Sequence, residues 1–142
     1  MKIAVMQPYI FPYIGYFQLL SVVDKFIIYD DVNFIKQGWI NRNYILANKK
    51  PLLFTLPIAD LSSFKLIKDT ELNSKVYEHW KIKFFKTLEY NYRKAPCFDT
   101  VFSEIKAVFE TKSHLLTDLL FAGIKFVVEY LDLPTQLVRS ST

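Results

Sequence analysis

The side chains with the most chemistry to offer are concentrated in the first 42 positions. Asp30 and Asp31 are adjacent carboxylates. On a continuing strand they would face opposite sides, one toward a pocket and one toward a turn. A pocket carboxylate there has three uses: binding a ribose hydroxyl, holding Mg²⁺ through water, or acting as a base. Lys36 and Arg42 suit a diphosphate, the lysine as a point charge and the arginine as a bidentate fork. Gln7, Tyr9, Tyr13 and Tyr16 combine an amide with three phenols, which hydrogen-bond to and stack on a sugar or base. Trp39 and Asn41 add an amphipathic ring and another amide. Each group also has a bland reading: an aromatic cluster holding a loop, aspartates closing a turn, and solvated surface charge.

The elements that must place these groups are legible in the same stretch. Lys2 to Met6 is a short apolar run, as a buried strand would be. Pro8 and Pro12 bracket an aromatic loop. From Tyr13 the apolar period changes, and Ile14, Phe17, Leu20 and Val23 fit one helix face. Asp24 and Lys25 close it, and Phe26 to Tyr29 is a second apolar run. The order predicts a βαβ unit with parallel strands. Ligands of such sheets sit beyond the carboxyl ends of the strands, where helix N-termini also favour anions. The aromatic loop and the twin aspartates are therefore expected to share one cleft at that rim.

Composition narrows the classes. The chain has 142 residues, of which 51% are hydrophobic, ample for a core. Aromatic residues make up 17%, and many of their rings must be partly exposed. A net charge of +4, spread along the chain, allows but does not require an anionic small molecule or a membrane surface, and gives no basic run of the density nucleic acid asks for. The single cysteine excludes an internal disulfide, and Met1-Lys2 leads straight into a strand rather than a signal peptide, so the expectation is cytoplasmic. The apolar region Leu115 to Leu131 is cut by Asp118, Lys125 and Glu129 and reads as a core helix rather than a membrane span. His79 and His114 lack metal-site spacing, and Cys97 has no local base to activate it. No metal site is expected.

After the first 42 residues, Asn43 to Lys50 reads as polar and turn-like, and Leu52 to Ile58 as a third strand. Ala59 to Leu72 reads as an exposed loop. A long helix runs from Asn73 or Ser74 to about Tyr92, with Val76, Trp80, Phe84, Leu88 and Tyr92 inward and Lys81, Lys83 and Lys86 solvated. Asp99 caps a second helix, with Val101, Ile105 and Val108 inward. Ser113 caps a third, His114 to about Leu131. Gln136 to Ser140 starts another strand. The fold class is α/β: a Rossmann-like parallel sheet opened by a βαβ unit, with a mostly helical segment of about three helices. One domain is expected, residues 1–58 carrying the sheet part, 73–133 the helices and 136–142 the start of a further strand. The polar ending after that strand reads as the opening of a loop that should lead onward, as in a chain truncated at its C-terminus or a naturally short one.

At Gln7-Pro8-Tyr9 and Phe11-Pro12-Tyr13-Ile14-Gly15-Tyr16-Phe17-Gln18-Leu19 the chain resembles the WbqC-like family. The likeness continues through Asp24-Lys25-Phe26, Tyr29-Asp30-Asp31-Val32, Lys36 and Trp39-Ile40-Asn41-Arg42. It returns at His79-Trp80, at Tyr92-Arg93-Lys94-Ala95-Pro96 and at Val138-Arg139-Ser140-Ser141. The resemblance implies a role in bacterial surface-polysaccharide synthesis, including O-antigen and hence lipopolysaccharide, with transfer of glycine or another acyl group to an amino sugar. It also implies further α/β structure beyond Arg139-Ser140-Ser141. A looser analogy is to nucleotidyltransferases, whose first helix carries paired histidines. Here that position reads Tyr13-Ile14-Gly15-Tyr16, which argues against ordinary adenylyl transfer.

The expected activity is that of a transferase on a nucleotide-activated amino sugar. Lys36 and Arg42 hold phosphate, the tyrosines hold sugar or base, and Asp30 or Asp31 deprotonates an amine or orders Mg²⁺. Arg139 joins the anion site if the last strand runs parallel to the first two. The competing expectations are a non-catalytic module docking onto glycan-pathway proteins, and a nucleotidyltransferase working without histidines.

Overall fold

A computed structural model describes all residues, Met1–Thr142. The elements are β1 (Ile3–Met6), α1 (Ile14–Val22), β2 (Lys25–Ile28), β3 (Arg42–Ala47), β4 (Lys50–Thr55), α2 (Ser74–Tyr92), α3 (Phe98–Phe109), α4 (Leu116–Tyr130) and β5 (Gln136–Arg139). The chain is mixed α/β. β1, β2 and β5 form a parallel sheet in the order β1-β2-β5, with Met6, Ile28 and Arg139 aligned at its carboxyl rim. Both connections step in the same direction across the sheet, so crossovers of one hand put α1 and α4 on one face. Tyr16 and Leu20 of α1, Ile124 and Val128 of α4, and Phe26 and Ile28 of β2 indeed form one buried cluster.

The opposite face of the sheet is open. Ile3 and Val5 point to that side and are 49% and 50% exposed. In register with them lie Lys25 and Ile27 of β2 and Gln136 and Val138 of β5. Parallel sheets are ordinarily covered on both faces, so this face departs from the doubly wound pattern.

The third strand expected at Leu52–Ile58 does not join that sheet. It forms β4, paired antiparallel with β3 in a separate hairpin. The segment read as turn-like, Asn43–Lys50, is mostly strand, because the turn is only Asn48-Lys49. Both of those residues have positive φ, 51° and 61°, as a tight hairpin of this twist requires. The hairpin packs with α2, α3 and the first half of α4 into a larger core built on Phe54, Phe84, Phe109 and Leu119. Thus α4 belongs to both cores: Leu116, Leu119 and Leu120 enter this one, while Ile124 and Val128 cover the sheet. That double duty explains a helix apolar around most of its girth.

Several helix expectations need correction. Ile14, placed on the inward face of α1, is exposed. The residues preceding α3 and α4 are Cys97 and Leu115, so Asp99 and Ser113 are not their caps. Lys81 is buried at 5% exposure rather than solvated. Its ammonium lies 3.0 Å from Glu78 and 3.0 Å from Glu110, and 5.6 Å from the centre of the Tyr77 ring. Burial pulls its pKa down, but hydrogen bonds to Glu110 and Glu78 outweigh this and hold it above the ordinary lysine value. Val76, expected inward, is 46% exposed because α2 turns Tyr77 to the core instead. No helix is long and apolar enough to cross a membrane.

Candidate functional site at the carboxyl rim

The aromatic loop leaves β1 at Met6 and is stitched to the second loop by backbone and side-chain bonds. The Ile10 N–H donates to the Ile40 carbonyl at 3.1 Å. Asn43 Nδ2 donates to the carbonyls of Ile10 and Phe11 at 3.1 and 2.7 Å. Phe11 sits at φ 46°, and its ring packs 5.9 Å from Phe109 and 6.5 Å from Phe54, contacts that hold the unusual backbone. These ties leave a cleft of about 400 Å³ walled by Met6, Tyr9, Pro12, Tyr13, Trp39 and Asn43. Gly15 shapes one wall: a Cβ there would lie 2.3 Å from the Tyr13 ring, so only glycine lets the ring lie over the start of α1.

The predicted ligand groups divide. Tyr9, Tyr13 and Trp39 line the cleft. Tyr16 does not: its ring is buried, and its hydroxyl donates to the Gln7 carbonyl at 3.1 Å. Burial, with a smaller contribution from Tyr9, pushes its phenol well above the usual tyrosine range. Gln7 is half-buried and Lys36 is exposed. Asn41 is buried and donates to the Leu56 carbonyl at 3.1 Å, so it anchors the start of β3 rather than a ligand. Arg42 likewise turns inward on its own loop. Its Nε donates to the Gly38 carbonyl at 3.0 Å, its terminal nitrogen donates to the Gln37 carbonyl, and its guanidinium lies 5.8 Å from the Trp39 ring.

The aspartates share the rim with the aromatic loop but not its cleft. Asp30 is wholly buried. Its Oδ2 accepts from Thr117 Oγ1 at 2.8 Å and Ser141 Oγ at 2.9 Å, and its Oδ1 accepts from the Ser141 N–H at 3.2 Å. Its own N–H donates to Ser140 Oγ at 3.2 Å. A carboxylate so occupied is a clasp joining β2, β5 and the first turn of α4. Asp31 is exposed and accepts from Ser140 Oγ. It is the aspartate that solvent reaches.

β5 does run parallel to β2, as the anion-site expectation for Arg139 required. Yet its guanidinium is spent on Asp118 at 2.6 Å and stacks 4.4 Å from the Phe121 ring centre. Burial raises the Asp118 pKa, while Ser113 and Arg139 lower it by more, leaving its carboxyl below the ordinary aspartate value. Ser113 serves here by donating to Asp118 and accepting from the Leu115 N–H at 3.1 Å. Sequence reasoning missed Asn43, Thr117 and Asp118. Their signal lies in partners distant along the chain. His79, His114 and Cys97 are exposed, and no cluster of three or more histidine, cysteine or carboxylate groups could hold a metal ion.

The sequence profile of the WbqC-like protein family matches residues 7–142, from the first residue of the aromatic loop onward. The chain belongs to the WbqC-like family. Among its relatives is the uncharacterized protein Rv1507c of Mycobacterium tuberculosis, 30% identical over 141 residues and 98% of this chain. The chain spans 60% of the length of that relative. No solved structure matches. The match to the WbqC-like profile takes in the aromatic loop, Asp30, Asp31 and the Arg139-Ser140-Ser141 segment that clasps them.

Proposed function

We propose that the aromatic cleft of this WbqC-like protein binds a nucleotide-activated amino sugar in bacterial surface-polysaccharide synthesis. The observation that carries the reading is a cleft of about 400 Å³ walled by Tyr9, Tyr13 and Trp39 at the carboxyl rim of a parallel sheet. Its rings suit a base or sugar face. Lys36 is the cation left for a diphosphate, since Arg42 is engaged by carbonyls. Asp31 is the candidate base for transfer of a small acyl or aminoacyl group, since Asp30 is closed off. Calorimetry with a panel of nucleoside-diphosphate amino sugars is the test. Tyr13→Ala and Trp39→Ala, both at exposed rings, are expected to weaken binding roughly 5- to 150-fold, the range for losing one stacking contact. No binding by any member of the panel removes the reading.

A second reading has its own support. The lining residues of the cleft include no carboxylate, histidine or cysteine. That favours a binding module working beside glycan-pathway enzymes over an autonomous transferase. Asp31→Asn separates the two: it abolishes transfer if Asp31 is the base, and leaves ligand binding and pathway output intact if the protein only binds.

A further inference from the structure

A second concavity shares no residue with the aromatic cleft. It runs between α2, α3 and β3, has a volume of about 360 Å³, and is lined chiefly by Leu88, Phe98, Val101, Phe102 and Ile105. The one polar side chain in its wall is the phenol of Tyr92. On the other side of Tyr92 lies a cleft of about 630 Å³ that carries Lys49, Arg93 and Lys94 and no carboxylate. None of these three cations is in an ion pair. The two concavities share a wall in both chain segments. Ile45 lines the apolar groove and its neighbour Leu46 the basic cleft, as alternation along β3 dictates. Tyr92 lines both, followed by Arg93 and Lys94 on the basic side and Ala95 and Pro96 on the apolar side. Tyr92 Oη accepts from the Leu46 N–H at 2.7 Å, which fixes the phenol at the junction and leaves its proton to donate.

We propose that this double site binds an amphipathic anion: one alkyl chain lying in the groove, with a phosphate or carboxylate head among Lys49, Arg93 and Lys94. Charge complementarity selects the occupant. An apolar peptide or a second copy would leave three cations without counter-charge, and an inorganic anion would leave the groove wet. The carboxyl end of α2 adds a partial negative charge nearby, which three full positive charges outweigh. The groove volume falls in the range of small-ligand pockets.

The test is calorimetry of the whole chain with decyl phosphate below its micelle concentration, beside decanoate, decanol, inorganic phosphate and phosphatidylglycerol vesicles. Saturable binding of decyl phosphate is expected, with decanoate showing whether a carboxylate head also serves. Ala95→Trp, at an exposed position in the groove wall, and the triple change Lys49→Gln, Arg93→Gln, Lys94→Gln should each weaken it about tenfold or more. Circular dichroism melts confirm that both variants fold. Three results overturn the proposal: decanol binding as tightly as decyl phosphate, affinity unchanged in either variant, or attachment to vesicles without binding of the monomeric amphiphile. A dimer that Ala95→Trp dissolves overturns it as well.

Discussion

Asp30 and Asp31 are neighbours with opposite fates, and the difference is a matter of donors. Asp30 is buried and collects hydrogen bonds from Thr117 and Ser141, whereas Asp31 stands exposed. Hydrogen bonds to a charged group contribute about 1.5–3 kcal/mol each, and orphaned buried donors add a desolvation cost. Asp30→Ala is therefore expected to destabilise the fold by about 3 kcal/mol, and Asp31→Ala by less than about 0.5 kcal/mol, in urea unfolding. If Asp30→Ala leaves the unfolding midpoint in place, the clasp is not structural, and Asp30 returns as a candidate for chemistry. The adjacency of two aspartates was plain from the sequence, but the opposite facing expected of a continuing strand does not arise, because β2 ends at Ile28 and both carboxylates reach the Ser140 hydroxyl. Which of them meets solvent was not plain, because the donors to Asp30 lie up to 111 residues away.

Among the elements, α2 and α4 carry the informative charges. Lys81 of α2 is buried between two largely exposed glutamates, whose side chains are 71% and 61% accessible. Replacing the lysine leaves no buried charge, whereas removing both partners strands one. Lys81→Met should fall within about 1 kcal/mol of the parent, and Glu78→Gln with Glu110→Gln should cost about 3 kcal/mol, both read by chemical denaturation. Equal effects of the two changes would refute this assignment. At the start of α4, Asp118 has a lowered pKa when folded, so its pairing with Arg139 stabilises above the ordinary value of 3.8 and is lost as pH falls through the folded value. Arg139→Gln should consequently raise the pH midpoint of acid unfolding monitored by circular dichroism. Helix boundaries were readable from period and proline. The burial of Lys81 was not, since its off-stripe position says nothing about Glu110, which lies 29 residues further along at the end of α3.

For the molecule as a whole, the last seven residues close the structure. β5 is the outer neighbour of β2, Ser140 and Ser141 complete the clasp on Asp30, and Arg139 pairs with Asp118. Removal of 136–142 should abolish the cooperative thermal transition, and a melt like that of the parent chain would contradict this. The open sheet face at Ile3 and Val5 remains on a chain that spans 60% of its mycobacterial relative. Local order was decided by the sequence itself: apolar runs, a change of period and two prolines dictated β1-α1-β2, because those signals act between residues a few positions apart. The resemblance read from the same motifs named the family. Tertiary structure alone decided that β3 and β4 leave the sheet, that Tyr16, Asn41 and Arg42 serve the scaffold, and that the aromatic cleft excludes both aspartates. Burial and hydrogen-bond partnership come from segments that meet only after folding, and no local pattern encodes which donor will arrive.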